Sequence, residues 1–172
     1  MSLNHSEETH QQLLDRVPQA TGRDLPQWFE ALEAGPGLLR FDERVNWLRD
    51  DLEADVRRVT DRARNLSQAR LAAPAAPHPS RAHAVRGVAQ QLAEAAQGIA
   101  AREDSAEPGW RELPVLSDLT VGDQIAVVGR DLLAELAGCD PDAAVWARGA
   151  RRTAREVASA AAENLATTRR LL

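Results

Sequence analysis

The sequence predicts an all-α protein, a four-helix bundle with two short N-terminal helices, and three observations carry that expectation. Hydrophobic residues make up 44% of the chain and are mostly Ala, Leu and Val, while aromatics are only 3% and tyrosine is absent. Ala and Leu are strong helix formers, whereas sheets favour β-branched and aromatic side chains. Several long stretches repeat apolar residues at spacings of three and four, which gathers them on one helical face. Proline-bearing breaks and Ser, Thr or Asp cap residues separate those stretches.

Taken in order, Ser6 to Val17 reads as a short helix with Glu7 and Glu8 in its first turn, where carboxylates suit the helix dipole. Pro18 and Thr21-Gly22 end it. Asp24 then caps a second short helix with Pro26 in the first turn and Trp28, Phe29 and Leu32 on one side. Gly35-Pro36-Gly37 stops it. The third helix runs from about Phe41 to Leu71, with an apolar line of Phe41, Val45, Leu48, Leu52, Val56, Val59, Ala63 and Leu66. One extra four-residue step breaks the strict heptad, so the pattern suits a nearly straight bundle helix rather than a supercoil. Such a helix is about 45 Å long, and only a comparably long neighbour or a second subunit could cover it.

Pro74, Pro77 and Pro79 make residues 72–80 an extended linker in the sequence reading. Residues 1–71 are thus an N-terminal helical region and residues 81–172 the three-helix remainder of the bundle. Ser80 caps a helix carrying Val85, Val88, Leu92, Ala95 and Ile99. Asp104 to Leu116 reads as a loop, in which Trp110, with Leu113, Val115 and Leu116, folds back as a hydrophobic plug. Thr120 and Asp123 resemble a capping box for a helix bearing Ile125, Val128, Leu132 and Leu136 and ending near Gly138. Asp140-Pro141-Asp142 opens the last helix, with Trp146, Ala150, Thr153, Val157, Ala160, Asn164 and Leu171 on one face.

Composition excludes several chemistries. The formal charge of −5 gives no general attraction to nucleic acid or anionic lipid. No run of about 18 apolar residues is present, so no membrane span is expected. Met1 through Ala20 is polar and lacks a signal-peptide core, which makes the cytoplasm the expected compartment. The single cysteine, Cys139, rules out an internal disulfide and a paired-cysteine metal site. Every positive side chain is arginine, so pyridoxal chemistry, a Walker-type phosphate loop and a Ser–Lys dyad are ruled out by inventory.

The remaining candidate sites are few. His5/His10 and His78/His83 are each five apart, whereas ligands sharing a helical face are three or four apart, so no metal is expected. Arg148, Arg151, Arg152 and Arg155 fall at the spacing of one helical face, opposite the apolar one. A solvated or salt-bridged face is the default reading and a partner-docking face the functional alternative. Asp50, Asp51, Glu53 and Asp55 read as hydrated carboxylates, with Glu53 able to pair with Arg57. Cys139 follows a helix end, where no dipole lowers its pKa. Asn164 lies on an apolar face as a candidate register-fixing polar residue. Trp110 and Trp146 are the candidate walls of a ligand pocket between helices. No catalytic constellation and no cofactor are identified.

Thr21-Gly22-Arg23-Asp24-Leu25-Pro26-Gln27-Trp28, followed by Val45-Asn46-Trp47-Leu48, resembles an uncharacterised family of small bacterial helical domains with a T-G-x-x-L-x-x-W segment and a V-x-W-L helix. That resemblance implies helical structure and no activity. The family's glycine- and histidine-rich turn is replaced here by Arg49-Asp50-Asp51-Leu52-Glu53, a continued helix. Leu119 to Val127 is similar to a segment of DinB-like four-helix metalloproteins, and the resemblance puts the position of a metal-binding histidine at Val127, which cannot ligate. The leading expectation is a non-enzymatic interaction or assembly module, a homodimer or the partner of another helical protein, associating through its long helices. The alternatives are a small-molecule binder or degenerate enzyme and, with nucleic acid disfavoured by the acidity, a DNA-linked regulator.

Overall fold

The computed structural model describes the backbone of residues 41–172 and the side chains from residue 49 onward. The two short helices expected within residues 6–34, His5, His10, and the side chains of Trp28, Phe41, Val45 and Leu48 lie outside the described residues. The described chain is mostly helical: α1 Phe41–Arg64, α2 Gln68–Ala72, α3 Arg81–Ala100, a 3₁₀ turn Asp118–Thr120, α4 Val121–Ala137, β1 Ala144–Ala147, β2 Ala150–Thr153 and α5 Ala154–Leu171. Val45–Leu172 forms one compact unit. No described helix is long and apolar enough to cross a membrane.

In α1 the inward line is Leu52, Val56, Val59 and Ala63, all buried, while Asp51, Glu53, Arg57, Arg58 and Asp61 face water. The helix expected through Leu71 is interrupted after Arg64. Ser67 Oγ accepts from the Arg70 amide at 3.4 Å and starts α2 afresh, a local bond that competes with helix continuation. The break turns Leu71 fully into the core. Beyond it the proline-rich run is held down rather than free: Ala75 and His78 form an isolated bridge, and the Arg81 amide donates to Ala73 O at 3.1 Å.

The α3 helix starts where Ser80 Oγ accepts from the His83 amide at 3.1 Å, and it buries Val85, Val88, Leu92 and Ile99. It packs on both α4 and α5, more extensively on α4. The α4 helix buries Ile125, Val128 and Leu132. It also lies close to α1, since a Cβ on Gly129 would stand 2.5 Å from Val56 Cγ1. The capping box expected at Thr120 is not formed. The 3₁₀ turn moves the cap to Ser117, which accepts from the Leu119 amide at 3.3 Å; the Thr120 hydroxyl donates to Ser117 O at 2.7 Å, and Asp123 is taken by Arg64 at 2.5 Å.

The all-α expectation needs one correction. Instead of opening a helix, Asp140 Oδ1 accepts from the Asp142 amide at 2.9 Å, an Asx turn. The chain then forms an antiparallel hairpin with Trp146 opposite Arg151 and Ala147 opposite Ala150. Arg148-Gly149 is its two-residue turn, and Gly149 at φ 74 supplies the left-handed third position that a type II turn requires. Val145 anchors the hairpin by being fully buried. Only at Thr153 does the last helix begin, with a complete capping box: Thr153 Oγ1 accepts from the Glu156 amide at 3.2 Å, and Glu156 Oε2 accepts from the Thr153 amide at 2.8 Å. The far end of α5 is fastened by arginines on its last carbonyls, Arg81 on Leu171 O at 2.8 Å and Arg62 on Arg169 O at 3.0 Å.

Candidate functional site

Two surfaces of this unit carry chemistry, a tryptophan-walled cleft and an apolar patch. The cleft exists because α3 has a glycine where β1 crosses it. A Cβ on Gly98 would fall inside the van der Waals envelope of the Trp146 carbonyl, so only a hydrogen there lets the hairpin lie against the helix. The loop preceding α4 is tied to the same helix by side-chain amides: Gln97 Oε1 accepts from the Arg111 amide and Gln90 Oε1 from the Leu113 amide, both at 2.8 Å. Between them, Trp110 from the loop and Trp146 from β1 wall a cleft of about 200 Å³ whose apolar side is Ala95, Val157 and Ala161.

Each wall is held by several bonds. Glu107 Oε1 accepts from both Trp110 Nε1 at 2.6 Å and the Gly149 amide at 3.0 Å, joining the loop to the hairpin turn. Trp146 Nε1 donates to Asp104 O at 3.2 Å. Arg148 donates to Glu94 at 2.7 Å and stands 5.6 Å from the Trp110 ring centroid; Arg151 lies 4.6 Å over Trp146 and donates to Arg102 O at 2.9 Å. The guanidinium bond from Arg148 holds the Glu94 carboxyl below the usual range, against the opposing effect of burial. Glu107 is lowered by the Gly149 amide and the Trp110 indole, and Glu156 by the Thr153 amide and hydroxyl. These carboxylates are therefore ionised around the cleft at neutral pH.

The structure brings Trp110 and Trp146 to one cleft and disperses the arginine set. Arg148 is in the hairpin turn, Arg151 and Arg152 are neighbours on β2 and so point to opposite faces, and Arg155 is in the first turn of α5, paired with Asp142 at 2.9 Å. They do not share a helical face, because the segment that spaces them is a hairpin. Arg152 lines the cleft, as does half-buried Asn164.

The other sequence candidates are placed as follows. His78 and His83 have ring centroids 6.0 Å apart, and no group of three His, Cys, Asp or Glu suited to a metal occurs among the described residues. Cys139 is buried, its thiol donates to Asp140 O at 3.4 Å, and burial pushes its pKa up. In the acidic cluster Glu53 reaches Arg57 at 3.7 Å, and Asp55 bridges Arg58 at 3.0 Å and Arg169 at 3.2 Å.

The second surface was not visible in the sequence. Among the described residues the large hydrophobics left exposed are Val115 (85%), Leu116 (47%), Leu119 (54%) and Val127 (56%), all within one stretch of the chain. The expected plug thus divides: Leu113 packs against the core, while Val115 and Leu116 stay in water. The segment is seated by Gln124 Nε2 donating to Pro114 O at 2.8 Å and by Arg86 donating to Leu116 O at 3.0 Å. A groove of about 380 Å³ runs between it and α4, bounded by Leu113, Pro114, Leu116, Val127 and Val128. The Arg64–Asp123 and Arg86–Asp118 ion pairs stand beside it. Val127, where the DinB-like resemblance implies a metal ligand, is on this exposed face and not in the interior.

Comparison with known proteins adds one finding. Neither the curated proteins nor the solved structures include a match to the chain. Residues 9–53 match the family model of a domain of unknown function (DUF4287), a stretch that contains both motif segments noted in the sequence. The N-terminal segment is therefore similar to an uncharacterised domain family, and the cleft and the patch lie beyond the matched residues.

Proposed function

We propose that this chain is a non-enzymatic helical interaction module that pairs with a second copy of itself through the apolar patch around Val127. One observation carries the reading: the exposed large hydrophobics of the described chain all fall within residues 115–127, and two of them, Leu116 and Val127, line one groove. Covering such a patch stabilises an assembly by about 25 cal/mol per Å² of apolar surface. Among the described residues the long helices offer no equivalent face, since from Arg49 onward α1 turns charged residues outward. In this reading α1, α3, α4 and α5 form a four-helix bundle that serves as a rigid platform for the patch, in a cytoplasmic protein.

The occupant follows from the ion pairs beside the groove. Arg64–Asp123 and Arg86–Asp118 present both signs on one surface. A partner of one sign would meet repulsion from half of these groups, whereas a mixed surface is complementary to itself after a two-fold rotation. A DNA-linked role gains no support from the arginines, because Arg148 and Arg155 are already paired with carboxylates and the set is split between faces. Sedimentation velocity of the full chain over a wide concentration range tests the proposal. The expected species has twice the 18.7 kDa chain mass and dissociates on dilution. A monomer at every concentration would refute it.

A further inference from the structure

We propose that the self-association surface extends from the Val127 groove across residues 113–116 to a second groove on α3, where Gly87 forms a notch that receives Val115 of a second copy of the chain. This inference rests on the self-association reading and assigns the contact that locks the two copies together.

Gly87 stands in the interior of α3, where glycine is less stable than alanine. Other helix glycines have a reason in the packing, since a Cβ on Gly98 or Gly129 would collide with a neighbour. A Cβ on Gly87 would meet nothing within 4 Å, and the residue is exposed. The chain itself gains no contact from the missing side chain, whereas a partner gains a notch in the helix surface. The notch opens into a groove of about 300 Å³ lined by His83, Arg86, Gln90, Leu113, Pro114 and Val115. Arg86 is paired with Asp118, so an apolar side chain entering the groove meets no uncompensated guanidinium.

Val115 is the matching knob. It is the most exposed of the large hydrophobics, although it lines the rim of this groove. Its position is fixed by bonds on both sides: the Leu113 amide donates to Gln90 Oε1 at 2.8 Å, Gln124 Nε2 donates to Pro114 O at 2.8 Å, and Arg86 donates to Leu116 O at 3.0 Å. Little further ordering is needed to bury it on association. Leu116, next in the chain, lines the Val127 groove, and the two grooves share Leu113, Pro114 and Gln124. Knob and notch therefore lie side by side on one continuous surface. A two-fold axis turns that arrangement into two identical contacts, each Val115 in the other copy's notch. A different partner would have to supply its own knob and would leave Val115 in water.

Sedimentation velocity of the full chain, wild type against G87Q and V115A, tests this. Glutamine is a better helix former than glycine, and its side chain fills the notch without adding an apolar surface. G87Q is therefore expected to raise the urea midpoint while weakening the dimer about tenfold or more. Those opposite signs separate a lost contact from a damaged fold. V115A trims the knob at an exposed position; it is expected to keep the wild-type circular dichroism and to weaken the dimer about tenfold or more, since two contacts are lost per dimer. A wild-type dimer whose dissociation constant is unchanged in either variant would overturn the notch and leave self-association through Val127 standing. A wild-type chain that is monomeric at every concentration would overturn both.

Discussion

At the scale of single residues the fold turns on a few positions where one atom decides the outcome. Gly98 is one of them. Alanine normally favours a helix interior over glycine by about 1 kcal/mol, and at Gly87, where nothing lies within 4 Å of the added methyl, that gain is expected in full. At Gly98 the methyl meets a backbone carbonyl that cannot rotate away. G98A is therefore expected to destabilise by about 1–3 kcal/mol, the usual cost of overpacking, while G87A raises the urea midpoint. Titration gives a second handle. Glu94, Glu107 and Glu156 all have pKa values lowered from 4.5 by hydrogen bonds made in the fold. Groups depressed in the folded state contribute stability above their unfolded pKa and lose it as pH falls through the folded one. Urea unfolding followed by tryptophan fluorescence should show constant stability from these groups above about pH 4.5 and a decline below it. E94Q is expected to flatten that decline.

At the scale of elements the hairpin and its junction with α5 are the least conventional part of the chain. The helix is set by a capping box, and T153A removes the hydroxyl that satisfies the Glu156 amide. The expected cost is about 0.5–2 kcal/mol in chemical denaturation, with the hairpin losing its abutment. The sequence held the signal for this junction, because Thr153-Ala154-Arg155-Glu156 has the T-x-x-E spacing of a capping box and Arg148-Gly149 is a plausible turn. The competing pattern is the stronger one locally: Asp140-Pro141-Asp142 is also a good helix start, and Trp146, Ala150, Thr153 and Val157 keep helical spacing. A period-of-two segment only four residues long cannot outvote that pattern. Where the periodicity was long and the cap unambiguous, as at Ser80 ahead of Val85, Val88, Leu92 and Ile99, sequence and structure coincide. The long helix before it ends at Arg64 and not at Leu71 for the opposite reason, since Ser67 is a cap that sits inside an otherwise unbroken apolar line.

At the scale of the whole molecule the distribution of apolar surface matters more than any one element. Local pattern makes Val115, Leu116 and Leu119 equally good candidates for burial, and only the tertiary arrangement leaves them in water, with Leu116 sharing a groove with Val127. The cleft was legible in part: its tryptophans could be named from their chemistry, but their meeting depends on a strand crossing at Gly98 that no spacing rule encodes. The central claim, that the patch is a self-association surface, is tested most directly by comparing sedimentation of the wild-type chain with V127D. Val127 is largely exposed, so the change should leave the thermal midpoint of the monomer intact. The expected result is a dimer for the wild type and a monomer for V127D with unaltered helicity. A V127D chain that sediments as the wild type does, whether both are dimers or both monomers, would contradict it.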